Sequence, residues 1–117
     1  MPSRRARQRL ADILENMDRI GHHLGGGGRD AFLADVTRRD AVERCLERIA
    51  EAARKLGDEF DARFPAADLP NLRRLGSVLR HDYDLIEALF LWNAVERRLP
   101  PLRRMCEALL AEDDTKA

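Results

Sequence analysis

The chain has 117 residues, 44% of them hydrophobic, which is enough for one domain with a single small core. Lysine plus arginine and aspartate plus glutamate both number 21, so any binding of phosphate must come from local patches and not from net charge. No apolar run reaches membrane length, and no apolar segment follows the basic start. We therefore expect a soluble cytoplasmic protein with neither a membrane-spanning helix nor a signal peptide.

Apolar residues recur at helical spacing near the start of the chain and predict a first helix over about 5–24. Four glycines, 25–28, end it. No strand precedes them and no Gly-Lys-Ser/Thr follows, so we interpret them as a flexible connector and not as a phosphate-binding loop. A short helical turn is expected over 30–35. Thr37 and Asp40 then resemble a capping box that opens a long second helix.

The second helix carries a regular apolar stripe as far as Phe60 and ends before the linker 65–70. Within this linker, Asp68 is placed to cap the next helix. A further apolar stripe begins at residue 85. Pro100 and Pro101 lie within it and are expected to kink or break the last helix.

No segment alternates with a period of two over the length of a strand, so the sequence predicts an all-α fold. We expect a four- to five-helix up-and-down bundle that forms one domain over 1–117, with 110–117 as a frayed tail. Cys45 and Cys106 fall on apolar stripes and lack the spacing of zinc ligands. They are therefore expected to be reduced core thiols, which are typical of a cytosolic protein.

The segment 74–83 places arginine, histidine and tyrosine close together. If 72–81 is helical, Arg74 and His81 are seven residues apart and lie within about 20° of each other around the axis. Leucine and valine side chains occupy the other side of this helix, so the histidine lies on the polar face, where it could meet a substrate. An imidazole with a pKa near neutrality can act as base or acid in metal-independent cleavage of RNA.

Each chain supplies one such histidine, whereas the reaction needs both a base and an acid. Because two protomers would supply two histidines, we expect a homodimer that brings two copies of the segment to one cleft. In this interpretation Arg74 and His81 are the catalytic residues, and Arg73, Ser77 and Arg80 contact phosphate or RNA. No metal site or cofactor is expected, because no histidine has a partner at metal-ligand spacing.

A surface role for His81 is also open, as a histidine that bonds a neighbouring carboxylate such as Asp82. Arg97 and Arg98 could extend a phosphate-binding patch, but such charges more often form a solvated helix face. Trp92 and Phe90 are expected to anchor the core or a dimer interface, because base stacking would require them to be exposed.

Ordered blocks along nearly the whole chain resemble the HepT-like toxins of the HEPN superfamily, also called nucleotidyltransferase-substrate-binding proteins. The blocks are 12–16, 32–35, 39–53, 79–83, 91–93 and 99–102. The family signature is an arginine, four to six residues, a histidine, any residue and a tyrosine, which Arg74, His81 and Tyr83 satisfy. Most members carry Arg-Asn where this chain has Gly76-Ser77, so the arginine has moved to position 74, is replaced in role by Arg80, or is lost.

The resemblance implies a helical bundle that dimerises with both motifs in a shared cleft, and a toxin that acts as a metal-independent ribonuclease. It also implies a partner, a minimal nucleotidyltransferase antitoxin that attaches adenylyl groups to Tyr83. An alternative is a non-catalytic helical protein that presents Tyr83 to that enzyme or holds a nucleotide. The glycine at position 76 keeps this alternative open.

Overall fold

The computed structural model describes residues 2–81 and 87–114, except the side chains of residues 81, 113 and 114. Its α-helices are α1 (Arg4–Leu24), α2 (Arg29–Leu33), α3 (Val36–Leu56), α4 (Leu69–His81) and α5 (Ala88–Asp114), with a 3-10 turn at Pro65–Ala67. No strand occurs within these two ranges. The predicted all-α fold is confirmed.

Both ends of α1 are defined by local chemistry that the sequence contains. The Ser3 side chain accepts a hydrogen bond from the N–H of Ala6 at 3.0 Å, which caps the first turn. Gly25 adopts a left-handed conformation with φ of 59°, and its N–H donates to the carbonyl of Gly21 at 3.3 Å. The predicted first helix is therefore confirmed to within one residue, and α2 matches the expected short turn.

The start of α3 differs from the prediction. Asp35, and not Thr37, is the capping residue, because its carboxylate accepts the N–H of Arg38 at 3.0 Å. Thr37 lies inside the first turn, since the backbone is already helical at Val36. The helix also ends at Leu56, and Phe60 is buried in the turn that follows.

The core is assembled around α3, which packs against α1 and α4, while α5 packs against α1, α2 and α3. Large side chains with no solvent exposure come from α1, α2, α3 and α5, among them Leu10, Ile13, Phe32, Leu46, Ile49, Leu102 and Leu109. Both cysteines are buried and free, as predicted. No helix of the described ranges has the length and apolar character needed to cross a membrane.

The two prolines do not break α5, contrary to one of the predicted outcomes. The helix is continuous from Ala88 to Asp114 with Pro100 and Pro101 inside it. The carbonyls that lose a helical donor belong to residues 96 and 97, which are exposed, so water can satisfy them. Leu99 and Leu102 flank the prolines and are buried, and their packing holds the helix in place.

Candidate functional site

The helix that carries the motif, α4, begins at a cap that also connects to α5. Asp68 has a left-handed backbone with φ of 51°, and its carbonyl accepts the N–H of Leu72 at 3.1 Å. Its carboxylate accepts the Asn71 amide at 2.7 Å and Arg98 of α5 at 3.2 Å. These two hydrogen bonds, the Asn71 bond first, hold the pKa of Asp68 below its ordinary value. Asp68 is thus positioned as the predicted cap.

The outward face of α4 is polar over a broad arc. Leu72, Leu75 and Leu79 are buried on the inner side. At 100° per residue, the five predicted site positions spread over an arc of about 120° around the axis. Their order across the arc is Arg80, Arg73, Ser77, residue 81 and Arg74. The two edges of this arc therefore carry arginines, with Ser77 and residue 81 between them.

The Arg80 edge of the arc adjoins α3 at a point of close helix approach. A Cβ atom built on Gly76 would lie 2.8 Å from the Cβ of Ala50 and 3.2 Å from the Arg80 guanidinium. The usual family arginine therefore has no room to start at position 76 unless α4 moves away from α3. In this packing, an arginine that served the motif would have to come from another position of α4.

Arg73 is held by the segment that follows α3. Its guanidinium donates to Asp61 Oδ2 at 2.5 Å, to Asp61 Oδ1 at 3.2 Å and to the carbonyl of Gly57 at 3.2 Å. The hydrogen bonds with Asp61 raise the pKa of Arg73. Most of its donors are occupied by these contacts, so Arg73 links α4 to the 57–61 segment.

Arg74, one residue later, lies about 100° further around α4 and is exposed. Its Nη1 donates to the side-chain oxygen of Asn71 at 2.6 Å, a neutral partner, and no carboxylate of the described residues pairs with it. The amide of Asn71 donates in turn to Asp68, which also accepts from Arg98. A chain of hydrogen bonds thus fixes Arg74 to the cap of its own helix and to α5.

Arg74 also lines a groove of about 500 Å³ between α4, the 3-10 turn and α5. From α5 the groove receives Phe90, Asn93 and Arg97, spaced three and four residues apart and hence on one helix face. Phe90 is 43% exposed, which contradicts a place in the core; the other expectation, a dimer-interface anchor, stays a prediction. Trp92 does pack inward, with its ring centroid 5.6 Å from that of Phe32.

The structure thus brings the exposed side chains of Arg74 and Ser77 to one side of α4, in line with the backbone position of residue 81. It places Arg73 and Arg80 nearer the α3 side. The side chain of His81 and the whole of Tyr83 lie outside the described residues. In the part of the chain that is described, no three histidine, cysteine, aspartate or glutamate side chains cluster as possible metal ligands. Sequence reasoning missed Asn93. The available signal was its spacing from Phe90 and Arg97.

Comparison with known proteins supplies the family. The family described as Ribonuclease HepT-like matches residues 13–109. "Putative RNase MJ1216" of Methanocaldococcus jannaschii is 28% identical over 99% of this chain and 96% of its own length. "Putative RNase MJ0127" of the same organism is 35% identical over 86% of this chain and 83% of its own.

A third relative is "Probable ribonuclease HepT" of Thermococcus cleftensis, which is 29% identical over 86% of this chain and 91% of its own length. No solved structure matches significantly. The family match spans more than half of the chain, and the resemblance drawn from the ordered sequence blocks is confirmed. The chain belongs to the HepT-like ribonuclease family.

Proposed function

We propose that this protein is a metal-independent endoribonuclease and the toxin component of a HepT-type toxin–antitoxin module. The observation that carries the proposal is the exposed face of α4, on which Arg74 has a neutral partner and lies seven residues before His81. Family membership supports the same reaction class, because the relatives described above carry ribonuclease names.

The reaction needs two proton transfers and one stabilised phosphorane. A base removes the proton of the 2′-hydroxyl, and the 2′-oxygen forms a bond to phosphorus. The bond from phosphorus to the 5′-oxygen breaks while an acid protonates that oxygen. The products are a 2′,3′-cyclic phosphate and a free 5′-hydroxyl. Arginines stabilise the charge on the equatorial phosphate oxygens in the transition state.

In this proposal His81 supplies the proton transfers, and a homodimer supplies two copies of it, one as base and one as acid. Arg74 is the cation best placed for phosphate, since it is exposed and no carboxylate of the described residues pairs with it. Ser77 lies on the same face as Arg74, and Arg80, which is exposed at the α3 edge of the arc, extends the contact with RNA. Arg73 contributes mainly through its bond to Asp61, which holds this face in place.

The antitoxin in this proposal is a minimal nucleotidyltransferase that adenylylates Tyr83. Tyr83 lies two residues after His81, so the modification adds a phosphate and a base next to the catalytic histidine. It would block RNA through bulk and through like charge. The buried free thiols suit the cytoplasm, where such a pair of proteins would meet.

Expression of the chain in a host without its partner tests the toxin role. We expect the wild type to stop growth and Arg74→Ala or His81→Ala to relieve the arrest at equal protein levels. Coexpressing a nucleotidyltransferase encoded beside the gene should restore growth and raise the intact mass by adenylyl groups, whereas Tyr83→Phe should escape both effects. A non-toxic wild type with unmodified Tyr83 would favour the alternative, a non-catalytic binding partner of the nucleotidyltransferase.

A further inference from the structure

We infer that the groove between α4 and α5 binds single-stranded RNA next to the scissile phosphate, with a base stacked on Phe90 and the backbone held by Arg97 and Arg74. The inference deepens the proposed function and rests on it, because it names the path of the substrate strand. It assigns binding roles to α5, a helix outside the family motif.

Three side chains of α5 line the groove one after another, so that they could contact successive parts of a nucleotide chain. Phe90, Asn93 and Arg97 lie on one face of the helix, and the seven-residue step from Phe90 to Arg97 spans about 10 Å along the axis. An aromatic ring stacks on any base, an amide can donate to and accept from a base edge, and a guanidinium contacts phosphate. The three groups together match the chemistry of one or two nucleotides.

The charge of the groove is positive although the whole chain is neutral. Among the described residues, Arg74, Arg97 and Arg98 line it, against one carboxylate, Asp68. Asp68 is occupied by Arg98 at 3.2 Å. Arg74 bonds the neutral side chain of Asn71 at 2.6 Å, and no ion pair involves Arg97 in the two described ranges. Within that part of the chain two cations therefore have no carboxylate partner, which provides the local patch that phosphate binding requires.

Phe90 is not buried by the described part of the folded chain. Its ring is 43% exposed at the edge of the groove, and Leu89 beside it is 45% exposed. Trp92, two residues later, turns inward against Phe32. An exposed aromatic ring beside unpaired arginines is the arrangement that proteins use for unstacked bases. A second copy of this chain would instead favour an apolar face without uncompensated cations at its centre.

The groove connects directly to the proposed catalytic face through Arg74. This residue lines the groove and also lies about 20° around α4 from residue 81, two turns along the helix. A strand that lies on α5 and contacts Arg74 would therefore pass the end of α4, where the motif histidine is located. This continuity favours the substrate strand over an unrelated ligand.

Fluorescence anisotropy with a labelled single-stranded 2′-O-methyl RNA tests the groove without interference from cleavage, because this probe lacks the nucleophilic 2′-hydroxyl. Phe90→Ala should weaken binding about tenfold, and Phe90→Trp should retain it. Arg97→Ala should weaken binding and reduce the slope of log affinity against log salt by about 0.7. Arg44→Ala, which removes the same charge from the exposed surface of α3, should change affinity by less than about twofold.

Light scattering on the same variants separates RNA binding from self-association. Wild-type affinity in both Phe90→Ala and Arg97→Ala, or no binding of the probe by the wild type, would overturn the inference. If Phe90→Ala changes the oligomeric state, the RNA affinity of Arg97→Ala becomes the test of the inference. Unaltered binding by Arg97→Ala would then assign this face to a contact between copies.

Cleavage of unmodified RNA by the same proteins distinguishes this inference from the proposed function. If the wild type cleaves RNA and the groove variants bind and cleave it equally well, the proposed ribonuclease activity is supported and the inferred RNA-binding groove is wrong. If the groove variants bind RNA more weakly than the wild type but no protein cleaves it, the inferred groove is supported and the proposed ribonuclease activity is contradicted.

Discussion

Replacing Gly76 with alanine should destabilise the protein, even though alanine is the better helix former. Gly76 is buried where α4 crosses α3, and an added Cβ would lie 2.8 Å from the Cβ of Ala50. Carbon atoms in contact prefer about 3.5–4.0 Å, so the two helices would have to separate by roughly 1 Å. The neighbouring atom is attached directly to the α3 backbone and cannot rotate away.

The size of the effect follows from two opposing contributions. Alanine is favoured over glycine in a helix interior by about 1 kcal/mol. Overpacking a well-packed interface costs about 1–3 kcal/mol, and the rigid neighbour places this site in the upper part of that range. We therefore expect a net loss of about 1–2 kcal/mol in the free energy of unfolding, which corresponds to a decrease of about 4–8 °C in Tm.

Gly21 provides the matched control. It also lies inside a helix, but a Cβ built there has nothing within 4 Å. Gly21→Ala should therefore stabilise the protein by about 0.5–1 kcal/mol. Urea unfolding at fixed protein concentration gives both values, and adding Ala50→Gly to Gly76→Ala should recover part of the loss through the coupling of the pair. A Gly76→Ala protein as stable as Gly21→Ala would refute the close approach of α3 and α4.

Four further predictions each concern one side chain. Arg73→Ala should lower the free energy of unfolding by about 1–2 kcal/mol, because a paired carboxylate loses its partner. Arg74→Ala should change the free energy of unfolding by less than about 0.5 kcal/mol and should reduce RNA cleavage. If urea unfolding showed a larger loss of stability for Arg74→Ala than for Arg73→Ala, the roles assigned to the two arginines would be wrong. Hydrogen bonds from Asn71 and an arginine of α5 lower the pKa of Asp68 in the folded protein. The Asp68 carboxylate therefore stabilises the fold at pH values above its ordinary pKa. This stabilisation is lost as the pH falls through the lowered pKa of the folded state. Asp68→Asn should therefore flatten the acid limb of stability against pH, and an unchanged limb would argue against the bond network. Burial raises the pKa of Cys106 to about 12, so this thiol should resist a disulfide reagent at pH 8 until the protein unfolds; rapid labelling of the native protein would show that it is accessible.

One apolar stripe and the glycines at 25–28 were sufficient to predict α1 to within one residue, and the Ser3 cap seen in the structure accounts for its earlier start. The start of α3 was not predictable in the same way. Asp35 and Thr37 are both capping residue types, two positions apart, and the choice depends on where the backbone leaves the α2 turn. The continuity of α5 through its two prolines depends on tertiary packing of flanking leucines, which sequence periodicity does not reveal.

The polar face of α4 was predictable because helical spacing alone brings Arg74, Ser77 and residue 81 together. The difference between Arg73 and Arg74 was not, since it arises from their neighbours: Asp61 for one and the α5 groove for the other. Neighbours in adjacent elements are set by the packing of α4 against the rest of the chain. The sequence offered Arg97 and Arg98 of α5 as a possible phosphate-binding patch, but the place of Phe90 in the same groove depends on this packing and was not predicted.

Incubating the purified, partner-free protein with total RNA and tRNA in a metal chelator tests the central claim most directly. Parallel reactions would contain His81→Ala, and the fragments would be examined for 2′,3′-cyclic phosphate ends. We predict cleavage to cyclic-phosphate ends by the wild type and its loss in the variant. No cleavage by a wild type whose intact mass shows unmodified Tyr83, or equal cleavage by His81→Ala, would contradict the account.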